Sequence, residues 1–239
     1  MLEHRCTDLK IFEKDLIQLS RLFSNIFVFQ LMGGEPLLEP TICVEMIDLI
    51  RRYFQDCSIN LITNGMLIGR MDKSFWEHVK EQSVTVRVSV YPAVLSKLDI
   101  IKGTLNYWDI PYLCEVNNKV EFEKNLTLTY ATNPYDNMRR CHGRGCYSLV
   151  SGRVSKCPNS IYIRDMVYAL RQHNIEFGNW IYGNDAIVLE DENDGWDIIK
   201  RLEAPCELCS RCDISNHQMI PWEMTKGKVE LKDWFIDYQ

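Results

Sequence analysis

Two short apolar runs, each closed by a loop that needs a permissive backbone, constrain this chain most. Residues 26–32 (Ile-Phe-Val-Phe-Gln-Leu-Met) lead into Gly33-Gly34-Glu35-Pro36, and residues 59–62 (Ile-Asn-Leu-Ile) lead into Thr63-Asn64-Gly65. Both read as strands ending in loops. In a parallel α/β protein such loops sit where the carboxyl ends of the strands meet a ligand. Paired glycines let the backbone approach that ligand with no Cβ in the way. Pro36 fixes the exit of the first loop and Glu35 is held at its rim.

The segments around these loops alternate in period. Residues 11–23 place Phe12, Leu16, Leu19 and Phe23 at helical spacing, with Asp8 as a cap. Pro40 opens a second helix with Ile42, Met46, Leu49, Ile50 and Tyr53 on its apolar face. A strand at 58–62, a helix at 73–82 carrying Phe75, Trp76 and Val79, a strand at 85–90, a short helix at 94–102 and a strand at 110–116 follow. Helix–strand alternation with short loops predicts a parallel sheet with right-handed crossovers. Near residue 117 the pattern breaks, at Asn117-Asn118 and again at Asn133-Pro134, with irregular strand between them. The stretch from Cys146 to Cys157 predicts a hairpin turning at Ser151-Gly152. A helix at 161–173, a loop with Gly178 and Gly183, a helix at 194–203 and a tail with Pro221-Trp222 and Trp234 complete the chain. Two domains are expected, 1–116 and 117–239.

The chain has 239 residues and a formal net charge of −6, with no basic stripe. Nucleic acid therefore finds no electrostatic footprint. No apolar run reaches membrane-spanning length, and the first residues lack a signal-peptide core, so a cytoplasmic protein without a membrane partner is expected. Ten cysteines are then metal ligands or core residues rather than a disulfide framework. Cys6, Cys43, Cys57 and Cys114 are scattered, and the last three sit beside apolar segments as small core residues do. Cys141, Cys146, Cys157, Cys206, Cys209 and Cys212 gather towards the C-terminus. Cys206-Glu-Leu-Cys209 points two sulfurs the same way, and the hairpin offers more. Spacing alone permits a four-thiolate zinc knot or a four-thiolate iron–sulfur cluster.

The strand, Gly-Gly-Glu-Pro, helix, strand, Thr-Asn-Gly series resembles the radical SAM superfamily. The resemblance implies a partial TIM-type (β/α) barrel followed by a small Cys-rich α+β domain. It implies S-adenosylmethionine (AdoMet) at Gly33, Gly34, Glu35, Pro36, Thr63, Asn64, Gly65 and Ser89, with the amino group on the Gly-Gly-Glu-Pro backbone. Cys141, then Gly152 and Cys157-Pro158, then the late Cys-x-x-Cys resemble an auxiliary SPASM/twitch domain. That likeness favours an auxiliary [4Fe–4S] cluster over zinc. The leading ligand set is Cys141, Cys157, Cys209 and Cys212, with Cys146 and Cys206 as substitutes. The implied reaction is reductive AdoMet cleavage and hydrogen abstraction from a peptide, sugar or small metabolite, fed by a reductase or flavodoxin-type donor.

One part of the pattern has no match. The family carries Cys-x3-Cys-x2-Cys after its first strand, and no such triplet precedes Gly33; Cys6 stands alone. The first strand is missing too. Truncation of an enzyme is the favoured expectation, and a non-catalytic relative with a zinc or iron–sulfur knot is the alternative. Either way, an unpaired sheet edge predicts low solubility. Of the remaining side chains, Arg87 is expected to face solvent or the site, His142 to be a loop residue, and Trp222 and Trp234 to cover the cysteines.

Overall fold

Asp8 starts the first helix as the spacing predicts. Its carboxylate accepts from the backbone N–H groups of Lys10 (2.9 Å) and Ile11 (3.3 Å), meeting two of the donors a helix start leaves open. The helix, α1 (Leu9–Leu22), buries Phe12, Leu16 and Leu19. The computed structural model describes residues 6–115, 121–162, 167, 168, 170–172, 186–190, 194–223 and 231–237. The chain divides into two compact units, 4–122 and 123–239.

In the first unit β1 (Val28–Leu31), β2 (Ser58–Thr63), β3 (Thr85–Ser89) and β4 (Tyr112–Glu115) form one sheet in that order, every pair parallel. The helices α2 (Pro40–Tyr53), α3 (Lys73–Glu81) and α4 (Leu98–Tyr107) lie between successive strands in the chain. Among the described residues the sheet is four-stranded and open, consistent with part of the expected α/β barrel. Ile59, Leu61 and Thr63 of β2, with Val86 and Val88 of β3, are buried on one face, while Asn60, Ile62 and Arg87 on the other are half-buried. That alternation follows from the period-2 pleat.

Two expectations shift. The buried face of α2 is Cys43, Ile47, Leu49 and Ile50, not one centred on Ile42 and Met46. The i, i+4, i+7 row through residues 43, 47 and 50 is turned one residue round the helix, because small Cys43 fits under the Pro36 loop. The short helix at 94–102 becomes a 3₁₀ turn, Pro92–Lys97, running into α4, which buries Ile101 and Leu105. At the amino end of the sheet Arg51 holds three strand-flanking carbonyls. It donates to the oxygens of Cys57 (2.6 Å), Gln82 (2.7 Å) and Gln55 (3.2 Å).

β1 is an edge strand of the described sheet, and Phe27 beside it is 80% exposed, Met32 67%. An apolar edge invites strand pairing between chains. Phe27→Lys is expected to raise the monodisperse fraction in size-exclusion chromatography without lowering the unfolding midpoint. An unchanged aggregate fraction removes β1 as the cause.

In the second unit β6 (Ser148–Val150) and β7 (Arg153–Ser155) form the expected hairpin, register Val150 to Arg153. Ser151 and Gly152 take φ of 48° and 78°, the left-handed pair that a two-residue turn of this hand requires. β8 (Ile187–Val188) pairs antiparallel with β7. Helix α5 (Pro134–Arg140) was not expected. Asn133-Pro134, read as a break, is its start: Asn133 accepts from the N–H groups of Tyr135 and Asp136, and Pro134 occupies the first helical position. Helix α6 (Pro158–Ile161) and α7 (Gly195–Glu203) follow, then β9 (Gln218–Pro221); β5 (Glu121–Lys124) spans the boundary between the units. Leu126, Val167, Leu170, Leu208 and Phe235 form a core. Most of the expected helix at 161–173 beyond residue 162, the breaks at Asn117 and Asn118, and Gly178 and Gly183 lie outside the described residues.

Candidate functional site

The two glycine loops stand side by side because Glu35 ties them. Its Oε1 accepts from the hydroxyl of Thr63 (2.6 Å) and from the N–H of Leu37 (3.1 Å), and its Oε2 accepts from the N–H of Asn64 (2.8 Å). The resemblance implies a ligand contact for Glu35, and the structure engages both its oxygens with protein donors. Thr63 passes the link on, accepting from the N–H of Gly65 (3.0 Å), and Asn64 Oδ1 accepts from the N–H of Met66 (2.8 Å). Pro36 starts the 3₁₀ turn Pro36–Leu38 and its carbonyl accepts the Cys43 thiol at 3.2 Å. Burial, helped by Glu35 and Glu39, pushes that thiol up to about 11. Cys43 is therefore a neutral peg under the loop.

Gly33 and Gly34 behave differently from Gly65. A Cβ at either meets nothing within 4 Å, so open space lies beside their backbone at the carboxyl edge of the sheet. Gly33 holds φ of 138° and Gly65 φ of 81°. A Cβ on Gly65 would come within 2.9 Å of both Ile101 Cδ1 and Val88 Cγ1. Gly65 thus serves packing, and the Gly33-Gly34 pair borders the accessible space.

Ser89 ends β3 at the same edge and is 8% exposed. Tyr91, which sequence reasoning passed over, lies two residues on. Burial and then the charge of Glu35 raise its phenol, and its ring stands 6.3 Å from that of Phe122. Its signal was its place just past a strand end. Arg87 lies on the half-buried face of β3. Its side chain is half-buried in an ion pair with Glu115, which ends the neighbouring strand β4.

The second unit holds the late cysteines. Cys157 is the N-cap of α6 and Cys141 the C-cap of α5. Cys206 is the N-cap of the 3₁₀ turn Glu207–Arg211 and Cys209 lies within that turn, with their sulfurs 3.4 Å apart. Cys157, Cys206, Cys212 and Trp234 pack against the local core. Burial pushes the Cys212 thiol far up, and the charges of Cys157, Cys209 and Cys141 push it further. Burial also raises Cys141; a hydrogen bond from the Gly143 backbone opposes this, and Cys157, Cys209 and Glu123 add to it. Cys209 moves the other way, lowered first by its hydrogen bond with Cys206. Cys141, Cys157, Cys209 and Cys212 are thus electrostatic neighbours. Among the described residues, however, no group of three or more His, Cys, Asp or Glu side chains is arranged to hold a metal ion. Cys146 is exposed, and His142 pairs with Glu123 (3.2 Å).

Asn137, buried at 6% exposure, was also missed. Its amide nitrogen donates to the carbonyl of Cys209 (3.0 Å), to Thr132 Oγ1 (2.6 Å) and to the carbonyl of Cys212, and its Oδ1 accepts from the N–H of Ile214 (3.3 Å). One side chain on α5 therefore sets the path of the Cys-rich loop. Asn137→Ala is expected to destabilise the second unit by about 1–3 kcal/mol, the usual result of stranding buried polar partners. Urea denaturation followed by Trp234 fluorescence measures it, and a change below about 0.5 kcal/mol, typical of a surface site, contradicts the role.

An open four-stranded parallel α/β sheet with glycine loops at its carboxyl edge defines the class of the first unit. No protein-family model matches the chain, and no curated protein matches it. Solved structures similar to it include native anSMEcpe with bound AdoMet, with TM-score 0.40, 16% identity, 48% of this chain covered and 36% of that one. They also include hexahistidine-tagged anSMEcpe with bound AdoMet, with TM-score 0.41, 12% identity, 74% of this chain covered and 56% of that one. The chain thus spans well under two thirds of either structure. Likeness at this level decides nothing about the site. No helix among the described residues is long and apolar enough to cross a membrane.

Proposed function

We propose that this chain is a radical SAM-type protein whose first unit binds AdoMet at the Gly33-Gly34 mouth. The observation that carries the reading is the Glu35 link, which sets both glycine loops at one sheet edge while leaving open space beside Gly33 and Gly34. In this reading the glycine backbone takes the methionine amino group, and Ser89 and Asn64 serve the carboxylate or ribose. Glu35, Thr63 and Gly65 hold the loops. The second unit offers Cys141, Cys157, Cys209 and Cys212 to a [4Fe–4S] cluster, a donor set whose softness suits iron–sulfur or zinc. Hydrogen abstraction from a peptide, sugar or small metabolite, with a flavodoxin-type donor, would further need a cluster with an iron open to AdoMet, and no Cys-x3-Cys-x2-Cys triplet to hold one precedes Gly33.

Iron, acid-labile sulfide and zinc per chain test the second half, on protein purified anaerobically. About four iron with matching sulfide is expected for one [4Fe–4S] cluster. About one zinc without sulfide replaces the reading with a zinc-stapled binding module.

A further inference from the structure

We propose that Cys206 and Cys209 form a redox-active dithiol that closes to a disulfide by exchange with a small-molecule disulfide. The two sulfurs lie 3.4 Å apart. The turn between them is fixed by the N–H of Cys209 donating to the carbonyl of Cys206 (3.0 Å). The Cys209 carbonyl is held from outside by Asn137, and Leu208 anchors the turn in the core at 1% exposure. The turn is therefore held at both its hydrogen bond and its core anchor, and the two sulfurs already stand near the bonded separation of about 2.0 Å. Both cysteines are partly exposed, so a small oxidant reaches them.

The exchange balances without any other reactant. One thiolate attacks the small disulfide, whose S–S bond breaks and releases one thiolate. The second cysteine attacks the mixed disulfide and releases the other. Two protein thiols are oxidised, one small disulfide is reduced to two thiols, and the two protons leave on them. Because Cys209 also belongs to the proposed cluster ligands, the disulfide and a metal centre exclude each other at that sulfur.

The test incubates the full chain in oxidised and reduced glutathione at graded ratios, quenches it with acid, alkylates it and digests it with trypsin. Cleavage after Arg201 and Arg211 isolates residues 202–211, which contain Cys206 and Cys209 and no other cysteine. The expected result is this peptide losing both alkylation sites together and becoming lighter by two hydrogens, with full reversal by dithiothreitol. Cys206→Ser is expected to abolish the change and Cys146→Ser to leave it intact. Oxidation that links Cys209 to Cys212 or Cys157 instead, or glutathione remaining on one cysteine alone, overturns the proposal. The same digest on iron-loaded protein separates the two readings. Protection of the peptide by iron supports Cys209 as a ligand. Oxidation undiminished by bound iron removes Cys209 from the ligand set and leaves the dithiol standing.

Discussion

Gly65→Ala lowers the stability of the first unit by about 2–4 kcal/mol, the sum of a left-handed backbone forced on a non-glycine residue and an overpacked core. Both terms are visible. The backbone holds φ of 81°, and the new Cβ would press on Ile101 and Val88 at 2.9 Å each. Val88 belongs to a central strand of the sheet and Ile101 to α4, and both are buried, so neither has free volume to give. Gly103→Ala is the matched control. It lies inside α4 with nothing within 4 Å of its Cβ and no left-handed φ. There alanine is expected to stabilise by about 0.5–1 kcal/mol, since glycine gives up more chain entropy in a helix. Urea titrations of the two variants should move the midpoint in opposite directions. A neutral Gly65→Ala would mean the Thr-Asn-Gly loop relaxes without strain, and the packing account would fail.

Glu35→Ala is expected to cost about 2–4 kcal/mol, because three buried or half-buried donors lose a charged acceptor at once. Glu35→Gln retains one carbonyl oxygen and should fall between the two. The loops would part before the sheet unfolds, so the AdoMet binding proposed for this mouth should weaken at least about tenfold, the equivalent of 1.4 kcal/mol. Isothermal titration calorimetry with AdoMet reads this directly. Thr63→Val provides the coupling check. Thr63 is 2% exposed and gives its hydroxyl proton to Glu35. The Glu35→Ala, Thr63→Val pair should cost less than the two single changes added, by about 1 kcal/mol. Strict additivity would show that the two side chains act independently and that Glu35 does not join the loops.

Several elements of both units were legible in order and type. Asp8 marked a helix start because a short carboxylate reaches the open N–H groups of the next turn. Ser151-Gly152 marked a hairpin because two left-handed residues in succession suit few side chains. The one-residue rotation of α2 was not legible, since a window of apolar residues leaves a face uncertain until small Cys43 is seen under the Pro36 carbonyl. Nor was α5, where Asn133-Pro134 reads equally as a break or as a cap followed by a first helical residue. Only the chain beyond it decides between those.

The sequence by itself determined the local choices: where strands end, which positions need glycine, and which cysteines share a region. These follow from backbone sterics and from side-chain period, both of which act over a few residues. The tertiary structure alone decided what the polar groups do. Glu35 looks in sequence like a ligand contact, and becomes a tie because Thr63 and Asn64, 28 and 29 residues away, bring their donors to it. Arg87 becomes the partner of Glu115 because parallel register sets their strands side by side. Asn137 acquires its role only when α5 lies along the loop carrying Cys209 and Cys212. A hydrogen bond needs a partner at about 3 Å, and across such separations in the chain only the fold supplies one.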